Sequence, residues 1–221
     1  MSPEDHVLVT AAVAEAEATT DGEIVTIVAP ASDDYRDIPW FYAIAAMLLV
    51  PAALAFIPQG IVDRAEALLL GWNAEAGRAA LMGFIFVKQI IVAAIVWLIV
   101  SLPAPRMALT PGGVKDARVR RRAMNLFKVA AERRTHGRTG VLLYLSLAEH
   151  RAEIVADQAI HEKVEPEIWG EAMAAMIDDV RAGRPGEGMA RAVQRIGEIC
   201  SNCFPKSDAD YNQLPDRLIE L

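Results

Sequence analysis

Cysteine is scarce in this chain: two residues in 221, Cys200 and Cys203, which leaves no disulfide framework to staple the fold. A basic excess is missing too. The formal charge is −7, which argues against nucleic acid as the main partner. The first residues, MSPEDHVLVT, have no basic stretch leading into an apolar one, so they do not read as a cleaved signal peptide. No GxSxG and no P-loop occur, and the glycines at 112–113 and 183–188 read as turn residues. The histidines, His6, His136, His150 and His161, show no metal-ligand spacing and read as surface or loop residues. Charge itself is nearly absent from two long runs, and these concentrate the hydrophobic excess.

The first run, WFYAIAAMLLVPAALAFI (Trp40–Ile57), holds 18 residues without a charge. At about 1.5 Å per residue it would cross roughly 27 Å, close to a hydrocarbon core. The second, Gly83–Leu102, holds 20 residues with one charge, Lys88. Neither has a polar face. Trp40, Phe41 and Tyr42 open the first run and Trp97 lies near the end of the second, as interfacial aromatics would. Pro51 is tolerable in a membrane helix and would kink it. Lys88 reads as snorkelling to the near interface, with a buried functional charge as the alternative. The sequence therefore predicts a two-helix transmembrane hairpin over 40–102, with a linker over 58–82.

Basic residues set the orientation. The linker carries Arg64 and Arg78 against Asp63, Glu66 and Glu75, and its AEALLLGW segment could lie along the interface. After the second run come Arg106, Lys115, Arg118, Arg120, Arg121 and Arg122. The positive-inside rule places that side in the cytoplasm, and two spans return the chain to its starting side. Both termini are expected in the cytoplasm, with the basic run against the anionic leaflet of an inner (plasma) membrane. Arg118–Arg122 with Arg133, Arg134 and Arg138 could also be read as a nucleic-acid patch. The acidic total and the lack of interleaved aromatics favour a lipid-facing or solvated helix face.

The polar parts then complete one another. Ser2-Pro3-Glu4-Asp5 is a helix start, followed by an apolar stripe of Val9, Ala12, Val13 and Ala16. EIVTIV (23–28) and TGVLLYLSL (139–147) are near-continuous apolar runs that read as buried strands. A helix over 114–135, striped by Val119, Ala123, Leu126, Phe127 and Ala130, supplies the crossover between them. Ala148-Glu149-His150 turns tightly into a third strand over 151–157, making an antiparallel hairpin. Pro166 and Pro185 open two last helices. The predicted fold is α/β: a small mixed β-sheet flanked by helices on both faces, interrupted by the inserted hairpin. Residues 1–39 and 103–205 form one discontinuous domain, and 206–221 a flexible tail.

DGEIVTIVAPASDDY, GRTGVLLYLSLAEHRAEIVADQAIHEKVEPEIW and IDDVRAGRPGEGMARAVQRIGEI together resemble the TPM domain family, which takes its name from thylakoid lumen phosphatase-like members. The inserted hairpin is similar to a bacterial membrane-anchored subgroup of it. The resemblance implies a modest range of activities: acid phosphatase, binding of calcium or other divalent ions, or an accessory role in membrane complexes. The acidic positions that best match are Asp33, Asp34 and Asp157. Family members are often secreted or lumenal, and the cytoplasmic placement expected here departs from that.

Asp33 and Asp34 follow the C-terminal end of the first strand, the edge where ligands collect in α/β sheets. Glu149 lies in the loop between strands two and three. If strand three ran parallel to strand one, Asp157 would share that edge, and Asp33, Asp34 and Asp157 would suit Ca²⁺ or Mg²⁺. Such an ion could activate water, or Asp33 and Asp34 could act directly as catalytic nucleophile or base. The plainer reading is a turn that caps its own backbone. Cys200-x-x-Cys203 sits at a helix C-terminal end, where the dipole opposes thiolate formation; structural thiols are favoured over zinc or redox chemistry. The reading is a binding or assembly module on the bilayer, working with a membrane protein partner or a second copy, with a divalent cation at an acidic cleft. The alternative is a metal-assisted, acid-phosphatase-type hydrolase using the same three carboxylates.

Overall fold

The computed structural model describes residues 1–58, 60–61, 63–64, 67, 78–130, 139–164, 166–207 and 216–221. Most of the AEALLLGW segment, Glu75, the end of the helix expected to reach residue 135, His136, Arg133, Arg134 and Arg138 lie outside the described residues. The chain divides into two compact units, Met1–Asp34 with Pro111–Leu221, and Tyr35–Thr110.

The first unit is the α/β part. Helix α1 (Pro3–Glu17) starts at a reciprocal capping box: Asp5 N–H donates to Ser2 Oγ at 3.1 Å and Ser2 N–H to Asp5 Oδ2 at 2.9 Å. Strand β1 (Glu23–Ala29) follows, buried along its whole length. After the second unit come α5 (Gly112–Ala130), β2 (Gly140–Ser146) and β3 (Arg151–Ala156). A short α6 (Gln158–His161), α7 (Pro166–Arg181), α8 (Pro185–Cys203) and β4 (Ile219–Glu220) complete it.

The sheet order is β3-β2-β1-β4. Strands β1 and β2 are parallel, with Glu23 opposite Gly140 and Ala29 opposite Ser146. Strands β2 and β3 are antiparallel. The mixed sheet is as expected, and burial on both faces explains why β1 and β2 read as unbroken apolar runs. Ile24, Val28, Val141, Leu143 and Leu145 point into one core, with Val9 and Val13 of α1, Met176 of α7, and Met189, Val193 and Ile196 of α8. Val25, Ile27, Ala29, Leu142 and Tyr144 point the other way, against Val119, Ala123 and Phe127 of α5. Alternation along each strand thus feeds two cores at once.

The last residues correct the expectation of a loose tail over 206–221. Ile219 and Glu220 pair in parallel with Ile27 and Val28, and Leu218 is buried in the larger core. The physical reason is the edge of β1: a strand buried on both faces needs hydrogen-bond partners for its outer edge as well.

The second unit holds α2 (Asp37–Phe56), α3 (Arg78–Ser101) and α4 (Pro103–Leu109). Helices α2 and α3 are antiparallel. Trp40 near the start of α2 stacks obliquely on Trp97 near the end of α3, ring centroids 5.7 Å apart, and Gln89 Nε2 donates to Met47 O at 3.3 Å. Pro51 lies inside α2. Among the described residues one helical stretch, Met82–Ser101, is long and apolar enough to cross a membrane; its mean hydropathy is 2.4 and 6% of it is buried. The apolar stretch of α2, Asp37–Ala53, is shorter.

Helices α1 and α8 approach closely at Gly197. A Cβ there would lie 2.6 Å from Ala16 Cβ, well inside contact distance. Gly197→Ala is therefore expected to destabilise the fold by about 1–3 kcal/mol despite the better helix propensity of alanine. A thermal midpoint equal to or above that of the parent chain would contradict this packing.

Candidate functional site

The acidic turn leaves β1 at its C-terminal edge. Its backbone is tied to the β2–β3 turn. Ser32 N–H donates to Glu149 Oε1 at 2.9 Å, and Ser146 Oγ donates to the other oxygen of the same carboxylate. Glu149 is buried, 3% exposed. Ser32 Oγ lies 3.0 Å from Tyr144 OH. Two backbone bonds reinforce the joint, Leu147 N–H to Ala29 O at 3.0 Å and Ala148 N–H to Pro30 O at 2.9 Å. His150 closes the turn in the left-handed region at φ 48°.

Asp33 and Asp34 are exposed on this edge. Asp33 Oδ2 forms an ion pair with Arg118 Nη1 of α5 at 3.2 Å. Close by in the chain, Arg151 Nε meets Asp116 Oδ1 at 2.6 Å and Arg120 Nε approaches Glu153 Oε1 at 3.7 Å. Burial raises the pKa of Glu153, with Arg120 opposing and Asp116 adding to the rise. The edge is thus a lattice of paired charges on α5, β3 and the β1 turn.

Asp157 is elsewhere. It accepts from Gly140 N–H through Oδ2 at 2.9 Å, and its own N–H donates to Gly140 O at 2.9 Å. Gly140 opens β2 opposite Glu23, the first residue of β1. The antiparallel hairpin carries β3 back to the N-terminal edge, roughly 20 Å of strand away from the acidic turn at ~3.3 Å per residue. Asp33, Asp34 and Asp157 therefore do not converge. With Asp33 paired to Arg118 and Asp157 at the opposite edge, the three-carboxylate set does not fit a shared Ca²⁺ or Mg²⁺. Among the described residues no group of three His, Cys, Asp or Glu side chains is placed to hold a metal ion.

Other candidates resolve individually. His6 Nε2 lies 3.0 Å from Glu220 Oε2, which ties α1 to β4. Burial first, then neighbouring Cys203, pushes the Cys200 thiol up to about 12, the reverse of a reactive thiolate. Lys88 Nζ sits 3.8 Å from the centroid of the Phe84 ring, one turn back along α3.

Sequence reasoning missed two carboxylates. The sequence shows Glu149 only as a loop acid; its partners Ser32 and Ser146 are set by tertiary structure. Glu17 had a visible signal, since it falls four residues after Val13 on the apolar stripe of α1. It is 8% exposed, and its Oε1 accepts from Ile24 N–H at 2.7 Å. Burial pushes its carboxyl from an ordinary 4.5 up to about 8, with the Ile24 bond opposing and Glu23 adding to the rise.

Residues 109–199 match the TPM domain family. The chain carries a TPM domain. It is similar in fold to the NMR structure of the BA42 protein from the psychrophilic bacterium Bizionia argentinensis, with a TM-score of 0.57 at 15% identity, covering 100% of this chain and 95% of that one. At that identity the likeness is one of architecture. No curated protein matches the chain. The TPM match begins just before α5 and ends within α8, so it spans β2, β3 and the Glu149 turn. The acidic turn and α1 precede it.

Two outcomes are expected. Glu149→Ala leaves the Ser32 amide and the Ser146 hydroxyl without their acceptor and should cost about 1–3 kcal/mol per orphaned group, whereas Asp33→Asn removes a half-exposed ion pair and should cost at most ~1 kcal/mol. Urea midpoints that rank the two in the opposite order would sink the assignment of Glu149 as the pin. Separately, Glu17 holds its proton more tightly in the fold than unfolded. Stability should therefore fall as pH rises from about 4.5 to about 8, by at most ~1.4 kcal/mol per pH unit from this group, and level off above. Urea titrations from pH 5 to 9 should show that slope, and Glu17→Gln should flatten it.

Proposed function

We propose that this is an integral membrane protein whose TPM domain works as a binding or assembly module at the cytoplasmic face of the membrane. The observation that supports it most is apolar exposure in the second unit. The Met82–Ser101 stretch is almost wholly unburied, and Phe86, Val87, Ile91, Ile95 and Leu98 of α3 are each more than half exposed. On α2, Trp40, Phe41, Ile44, Leu48 and Leu49 are exposed as well. A face of this size in water is a strong drive to association, and lipid is the solvent it matches. The antiparallel pairing of α2 with α3 supports a hairpin that enters and leaves on one side, with interfacial Trp40 and Trp97 side by side.

Orientation follows the charges. Helix α5 follows α4 through Thr110-Pro111 and presents Arg120, Arg121, Arg122 and Lys128 to solvent opposite its buried Val119–Ala123–Phe127 stripe. Such a helix face suits an anionic leaflet at roughly 1 kcal/mol per basic residue near the surface. The hydrolase alternative draws no support from the geometry, because its third carboxylate, Asp157, lies at the opposite edge of the sheet. A module that holds a membrane partner or a second copy asks for no such convergence.

The test has two parts. In membranes washed with alkaline carbonate the protein should stay in the pellet, and trypsin should cut at Arg120–Arg122 in inside-out vesicles and not in right-side-out ones. Release by carbonate would remove the spans; cleavage in right-side-out vesicles would reverse the orientation. In mild detergent the chain should then run as a homo-oligomer or with a reproducible partner, and a bare monomer would remove the assembly role.

A further inference from the structure

Helix α1 is apolar on two opposite sides. Val9, Ala12, Val13 and Ala16 face the larger core. Val7, Ala11 and Ala14 lie on the other side, at the i, i+4, i+7 spacing of a single helix face, and all three are exposed, Val7 by 71%. A surface helix ordinarily turns polar residues outward, so this second face is out of place in water. It forms one wall of a groove of about 720 Å³. The other wall is Leu218 with Ile219 and Glu220 of β4. Glu220 fixes the two walls to each other: its carboxylate accepts from the Met1 amine at 3.1 Å and lies 3.0 Å from His6 Nε2.

The β4 wall is also a sheet edge. The order β3-β2-β1-β4 has no strand beyond β4 among the described residues. Leu221 N–H donates to Val28 O at 3.1 Å, so Leu221 turns its backbone to β1. By the alternation of a strand, the amide and carbonyl of Glu220 then turn away from β1. Outward backbone groups beside an apolar wall suit a further strand, whose main chain pairs with the edge while alternate side chains pack on α1. A docked helix or a lipid chain would cover the α1 face and leave the strand edge unpaired. Charge narrows the choice again. Arg217 is exposed on the rim of the groove and has no ion-pair partner among the described residues. A carboxylate on the incoming strand would complete it. A second copy of β4 suits less well, since its acid, Glu220, is engaged with Met1 and His6 and it brings a second Arg217.

We propose that the groove between α1 and β4 binds an extended segment of a partner protein by strand addition to β4, with alternate apolar side chains on Val7, Ala11 and Ala14 and an acidic residue at Arg217. This rests on the reading of the TPM domain as a binding module and names the kind of segment it binds.

The experiment is selection of a phage-displayed library of random short peptides on the full chain held in lipid nanodiscs, followed by calorimetric titration of the enriched peptide. Enriched sequences should alternate apolar and polar residues and carry Asp or Glu. Ala11→Arg, at an exposed position where a helix accepts arginine, should abolish binding. Arg217→Glu should weaken the acidic peptide about tenfold and, in a repeated selection, enrich Lys or Arg in place of the acid. No enrichment over empty nanodiscs, apolar residues enriched at helical spacing, or binding unchanged in either variant would each overturn the proposal. A homodimer of the parent chain that Ala11→Arg turns into a monomer would give the groove to a second copy and overturn it as well. If Ala11→Arg does not fold, the Arg217→Glu result decides. Carbonate extraction and trypsin cleavage are separate readouts: loss of the spans there leaves peptide binding standing, and loss of peptide binding here leaves the spans standing.

Discussion

The structure depends on one constraint: β1 and β2 are buried on both faces along their whole length. A strand in that position has no solvated side, so every neighbouring element is called for by its need of cover. The larger core requires α1, α7 and α8. The smaller requires α5, whose other face is free to be basic. The outer edge of β1 requires a further strand, which is why two residues as distant as Ile219 and Glu220 are drawn in. The strands reach this arrangement from far apart in the chain, with the helical hairpin between them.

The same constraint separates the two ends of the sheet chemically. At the C-terminal edge the turns must be held close, and Glu149 does this by accepting from a backbone amide on one turn and a hydroxyl on the other. Asp33 is engaged with Arg118 and Asp116 with Arg151, which leaves a surface of paired charges. At the N-terminal edge the α1–β1 loop and the segment after α8 meet around Glu17, an acid that is neutral at ordinary pH. One edge is saturated with internal partners. The other keeps a buried oxygen without one.

Much of the fold was legible in the sequence because its signals are local. Ser2-Pro3-x-Asp5 is a helix start wherever it occurs. Near-continuous apolar runs at 23–28 and 139–147 indicate burial on both faces, and the Val119, Ala123, Phe127 spacing marks the covered side of α5. The edge assignment of Asp157 failed for an instructive reason. A three-residue turn makes β3 antiparallel to β2, and a crossover makes β2 parallel to β1; together these already place Asp157 away from Asp33 and Asp34. The condition that β3 run parallel to β1 ignored that combination. Strand β4 was not legible, since two residues carry no period. Nor were the roles of Glu149 and Glu17, because each is defined by partners that only tertiary contact supplies. For Glu17 the clue was its place on the apolar stripe of α1.

The insertion of α2 and α3 between β1 and β2 also has a consequence in time. A ribosome at about 5–20 residues per second needs on the order of ten seconds to travel from the end of β1 to the end of β2. Throughout that interval the first strand has no partner for either edge, an apolar ribbon waiting for its sheet. On the proposed membrane reading, the hairpin would tether the nascent protein as well as the finished one. Held there, α1 and β1 would stay at high local concentration until the strand they need has been made.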